Sequence, residues 1–205
     1  MAWESVLLNG VKVLMDTDTG RLATSDDVAA AAVDGVTTAL KVIDNAHHEI
    51  HEGGSFLMSH TATVGDGSVS ELLIITPDTD KFAHMVFDVS ATGQTDVDLY
   101  KGTAKTAGTA IPTLINHNLN SAIANTTLIT HTPAGSGDGT KIATAIFGLD
   151  LGTGANRRIS GGSTGGRNEL VLERDTAYLF RVTSGTTGNR ITILLDWYEH
   201  TSANA

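Results

Sequence analysis

The closing run of the chain, "NRITILLDWYEH" at residues 189–200, alternates with a period of two. Ile191, Ile193, Leu195 and Trp197 fall on one side, and Thr192, Asp196 and His200 fall on the other. A strand sends successive side chains to opposite faces of a sheet, so this run forms one apolar and one polar face. Three more stretches repeat the pattern. In "KFAHMVFDVS", Ala83, Met85, Phe87 and Val89 oppose Phe82, His84, Val86 and Asp88. In "TDVDLYKG", Val97 and Leu99 oppose Asp96 and Asp98, and in "AYLFRVTS", Tyr178, Phe180 and Val182 oppose Arg181. Several half-buried strands in one chain require sheets that bury one face each.

Shorter apolar runs, "HHEIHE", "FLMSHTA", "ELLIITP", "NTTLITH", "KIATAIFGLD" and "NELVLERD", add further strand candidates. They are separated by Gly, Thr, Asn and Asp, the punctuation of an antiparallel sandwich. We therefore expect an all-β fold: an antiparallel, jelly-roll-like β-sandwich over residues 46–205, with Phe87, Val97, Leu99, Phe180, Leu195 and Trp197 in its core. Two long connections, residues 101–124 and 152–166, are expected to be surface loops that carry contacts with partners.

Residues 1–45 read differently. Val11, Val13 and Met15 alternate, "DTDTG" (Asp16 to Gly20) offers turn chemistry, and Leu22 resumes a strand, so a small hairpin is expected. Ser25, Asp26 and Asp27 then either cap a short alanine-rich helix ended by Gly35 or begin an extended spacer. Trp3, Val6, Leu7 and Leu8 form an apolar cluster that needs a covering surface.

Composition narrows the function. The 205 residues carry a net charge of −10 with 13 Lys and Arg, which disfavours nucleic acid as a partner, because duplex affinity comes from a basic face that displaces counterions. No cysteine is present, excluding disulfides and thiolate metal sites. No apolar run approaches the ~20 residues of a membrane helix. The start of the chain lacks the features of a signal peptide, so a soluble protein made in a cytoplasm is expected.

The densest chemistry lies in "HHEIHE", residues 47–52. As a strand it would place His47, Glu49 and His51 on one face, a possible Zn²⁺ ligand set to which His60, His84 or His117 could contribute a fourth member. It has a loose likeness to the cupin motif, but no acid follows His51 at the required distance. The expectation is therefore a structural strand facing an interface or solvent, with no metal, no cofactor and no catalytic residue. "DTDTG" lacks the sixth-position glycine and twelfth-position glutamate of an EF-hand, where Arg21 and Asp27 stand instead. "GSGDGT" and "GTGANR" lack the remainder of any phosphate-binding motif. Arg157, Arg158 and Arg167 make the second long loop locally basic, read as a solvated loop or as a contact for an acidic neighbour. No nucleophile motif such as Gly-x-Ser-x-Gly occurs.

Taken together, "ALKVIDNAHHEIHEGGSF", "LLIITPDTDKFAHMVFDV", "NELVLERDTAYLFRVTS" and the closing "LLDWYEH" resemble a group of tailed-bacteriophage virion proteins of the head-decoration or head-fibre type. The likeness spans residues 39–200. It implies a β-sandwich on the outer surface of a phage head, bound to the major capsid protein through the segment 1–45. It also implies a homo-oligomer, a trimer being favoured, and no catalytic residues. Two alternatives remain open: a tail or receptor-binding protein gripping host glycans, for which Tyr100 and Tyr198 are the expected exposed aromatics, and a cupin-like metalloenzyme using His47, Glu49 and His51.

Overall fold

The computed structural model describes residues 3–8, 11–16, 45–147, 159–161 and 169–201, with side chains from 48 to 147 and from 169 to 201. The alanine-rich segment, the "DTDTG" turn beyond Asp16, the loop arginines Arg157, Arg158 and Arg167, the His47 side chain and the packing of Trp3, Val6, Leu7 and Leu8 lie outside the described residues. The chain divides into two compact units, 1–44 and 45–205.

In the first unit, β1 (Trp3–Leu8) pairs antiparallel with β2 (Val11–Asp16), and Leu8 lies opposite Val11. The two strands are therefore joined by Asn9 and Gly10, a dipeptide strongly favoured between hairpin strands. The alternation of Val11, Val13 and Met15 does form a strand, but its described partner precedes it in the chain and is not the run at Leu22.

The second unit opens with a helix, α1 (Asn45–Glu52). The strands that follow are β3 (Ser55–Val64), β4 (Val69–Ile75), β5 (Phe82–Ala91), β6 (Thr95–Lys101), β7 (Thr109–Ala110), β8 (Leu114–Asn116), β9 (Leu128–His131), β10 (Thr140–Phe147), β11 (Ile159–Gly161), β12 (Leu170–Val171), β13 (Ala177–Ser184) and β14 (Asn189–His200). They form two antiparallel sheets packed face to face, an all-β sandwich. One sheet runs β10-β6-β13-β4-β9-β7 and the other β11-β5-β14-β3-β8, with β12 also on β5. No helix among the described residues is long and apolar enough to cross a membrane.

The period-two runs become the central strands. β14 pairs with both β3 and β5, and β13 with both β4 and β6. Ile191, Ile193, Leu195 and Trp197 are each no more than 1% exposed. They lie in one apolar cluster with Tyr178, Phe180 and Val182 of β13 and Val97 and Leu99 of β6. Phe87 is half-buried against that cluster and stacks, tilted, on Phe180 with 5.0 Å between ring centroids. Burying a side chain of this size stabilises the fold by roughly 1.5–3 kcal/mol.

The polar faces are also organised. Arg181 of β13 bonds Glu71 of β4 and, bidentately, Asp138, while Lys105 reaches Glu71 at 2.8 Å. The 101–124 connection is therefore not a free loop: Lys105 ties it down, and β7 and β8 add to opposite sheets. "GSGDGT" is a tight crossing that delivers Asp138. At Gly139 (φ +91°) a Cβ would meet the Lys101 carbonyl at 2.4 Å. "NELVLERD" yields only the two-residue β12, because Leu172 turns inward and Tyr178 caps the Glu173 amide.

Candidate functional site

"HHEIHE" is a helix, not a strand. The residues that follow explain why. Gly53 has φ +81°, and its N–H donates to the Ile50 carbonyl at 3.2 Å. The Gly54 N–H donates to the Glu49 carbonyl at 2.9 Å. These two bonds make a Schellman cap, which closes a helix with glycine in the left-handed region. "EGG" after the histidines was the signal for this ending. The polar alternation of "HHEIHE" concealed it.

The change of element dissolves the expected ligand set. Residues two apart on a helix point about 200° apart, so Glu49 cannot share a face with His47 and His51. Glu49 turns inward and is buried, while His48, His51 and Glu52 are exposed. The proposed fourth ligands are engaged elsewhere. His60 stacks on His131 with 4.6 Å between centroids, across the two sheets. His84 is buried beneath Tyr198, and His117 lies against Ser55.

What the helix does bring together is His48, Glu49 and Glu52. Among the described residues they are the one group of His, Asp or Glu whose ligand atoms all lie within 4.8 Å of one another. His48 Nε2 stands 3.3 Å from Glu52 Oε1, and His200 Nε2 stands 3.6 Å from Glu49 Oε1.

Two buried glutamates flank this end of β14. Glu199 is saturated: it accepts bonds from the Thr126 and Thr127 amides at 2.9 Å, from Thr126 Oγ1 at 2.7 Å and from Trp197 Nε1 at 3.4 Å. It pins the segment before β9 to β14. Glu49, by contrast, accepts a hydrogen bond from none of the described side chains or amides; its ion-pair contact is with His200.

Next to them, His84 Nδ1 lies 2.8 Å from Glu169 Oε1, and the Tyr198 hydroxyl donates to the same oxygen at 2.7 Å. Tyr198 is therefore buried, not the exposed platform expected of it, because its ring covers His84 and its hydroxyl is used internally. Tyr100 is half-buried under Arg181 and Lys141. Among the described residues no aromatic side chain is exposed.

One Ser–His–Asp encounter occurs without any sequence mark. Ser55 Oγ lies 2.8 Å from His117 Nδ1, and Asp196 Oδ1 lies 3.8 Å from the same nitrogen. A nucleophilic triad needs the serine and the acid on opposite ring nitrogens. Here both share Nδ1, and Ser55 is 4% exposed and also directed at the Trp197 carbonyl. The contact ties β3 to the end of β8. Burial raises the Asp196 carboxyl above its ordinary value, with the His117 charge opposing.

Charge governs the opposite sheet. The hydrogen bonds to Arg181 hold Asp138 below the usual carboxylate range, and the same pair raises Arg181. For Asp98 burial pulls upward, but hydrogen bonds from Lys141, Thr144 and Tyr100 prevail and lower it.

No protein-family model, curated protein or solved structure matches the chain.

Proposed function

We propose that this chain is a phage capsid decoration protein, an auxiliary or cement component of the head. In this reading the first unit binds the major capsid protein lattice, and the sandwich projects from the outer surface of the virion. The copies associate, as trimers in the favoured arrangement, so that weak single contacts add up by multivalency.

The observation that carries the reading is the division of the chain into a unit, 1–44, which carries the hairpin of β1 and β2, and a sandwich with its own core. An attachment segment and a displayed domain need that separation. The order of strands supports a jelly-roll wiring within the sandwich. Taken without β7, β8, β9 and β12, the sheets run β11-β5-β14-β3 and β10-β6-β13-β4. That order fits two interlocked Greek keys, with the 101–131 segment inserted at one edge. Internal use of Tyr198 and the half-burial of Tyr100 weigh against the glycan-gripping alternative, since sugar platforms need open aromatic rings.

Immunogold labelling of virions with antibody against residues 45–205 tests the reading. Gold distributed over heads is the expected result. Gold confined to tail tips would replace it with the receptor-binding alternative.

A further inference from the structure

The contrast between Glu49 and Glu199 has a chemical meaning. A buried carboxylate has lost its hydration and needs hydrogen bonds or a positive charge in return. Glu199 receives its hydrogen bonds from two backbone amides, a hydroxyl and an indole. Glu49 has a side chain only 8% exposed and no such donors; the imidazole of His200 stands 3.6 Å away, outside good hydrogen-bonding distance. What lies beside it instead is a second carboxylate, Glu52, and the imidazole of His48, with the ligand atoms of all three within 4.8 Å.

We propose that α1 holds a divalent zinc-class cation between His48, Glu49 and Glu52. Three ligands at about 2.1 Å on a tetrahedral ion stand about 3.4 Å from one another. The His48–Glu52 separation is 3.3 Å, already close to that edge. Their side chains are 55% and 61% exposed, so both are free to close on an ion held by Glu49. The spacing is helical in origin, Glu52 following Glu49 by three residues and His48 by four, which sets all three on adjoining parts of one surface.

An ordinary exposed pair at that spacing would explain His48 and Glu52 alone, but not the buried Glu49 beside them, whose ion-pair partner His200 stands 3.6 Å away. The donor set also selects the ion. One imidazole and two carboxylates suit Zn²⁺, leaving a fourth position for water. They fall well short of the six to eight oxygens that Ca²⁺ takes. His200, approaching Glu49 Oε1, is placed to orient that carboxylate, as groups behind metal ligands commonly do.

The test is calorimetric titration of the full, untagged chain, stripped of metal, with zinc chloride and separately with calcium chloride. One zinc per chain and no calcium binding are expected. His48→Gln, at an exposed position that does not carry the fold, should weaken zinc binding about tenfold or more, as should Glu49→Gln. His131→Gln, which leaves the helix untouched, should bind zinc as the parent does. Absence of zinc binding, preference for calcium, or binding that survives His48→Gln and Glu49→Gln would each overturn the assignment.

Discussion

The interior of the sandwich and the polar seam around the end of β14 are built on opposite terms. Inside, Ile191, Ile193, Leu195 and Trp197 meet Tyr178, Phe180 and Val182, and nothing more specific than volume and alternation is required. Along the seam, Ser55, His84, Glu169, Tyr198 and Glu199 are packed by paired donors and acceptors, and Glu49 stands beside His200. Strand β14 carries both: Ile191 to Trp197 serve the core, and Tyr198 and Glu199 at its end serve the seam. The core sets how much stability the domain has, while the seam sets which geometry its end adopts.

Three experiments bear on that contrast. Trp197→Ala removes the largest fully buried ring and should cost about 3–5 kcal/mol in chemical denaturation, through lost burial and the cavity left behind. A melting temperature within a degree or two of the parent would place Trp197 outside the core. Glu199→Gln exchanges a saturated acceptor for a group that turns an amide toward donors. It should cost about 1–3 kcal/mol, with loss of amide-exchange protection concentrated at Thr126 and Thr127. A uniform loss across the domain would mean that Glu199 belongs energetically to the core.

The smallest effect lies between the sheets, at His60. Burial, and next the charge of His131, lower its affinity for protons below the ordinary value of 6.5. The folded form therefore binds fewer protons than the unfolded chain over the range just below that value. Stability should be fully present above pH 6.5 and should decline as pH falls beneath it. His60→Gln should flatten that slope when denaturant midpoints are compared between pH 7.5 and 5. An unchanged slope would assign it to other histidines.

The interior was legible in the sequence because period two has one cause. Residues 82–91, 95–101, 177–184 and 189–200 all form the strands their alternation predicts, and Val97, Leu99, Phe180, Leu195 and Trp197 are buried as expected. The seam was not legible, for two reasons. "HHEIHE" alternates like a strand, and only the glycine pair behind it reveals the capped helix. The partners of Tyr198 and Ser55 come from positions 29 and 62 residues away, a distance over which no local pattern speaks. At the front of the chain, Asn9-Gly10 joins the described strands β1 and β2, and the turn expected at "DTDTG" lies beyond the described residues.

In the proposed function, attachment falls to the first unit and display to the sandwich. Co-sedimentation with undecorated heads, comparing the full chain with residues 45–205 and recording each protein's melting transition alongside, separates the two roles. Residues 45–205 should melt cooperatively, as a sandwich with its own core does, and stay in the supernatant while the full chain pellets with heads. Pelleting of 45–205 at the same occupancy as the full chain would contradict it and place the capsid contact on the sandwich itself.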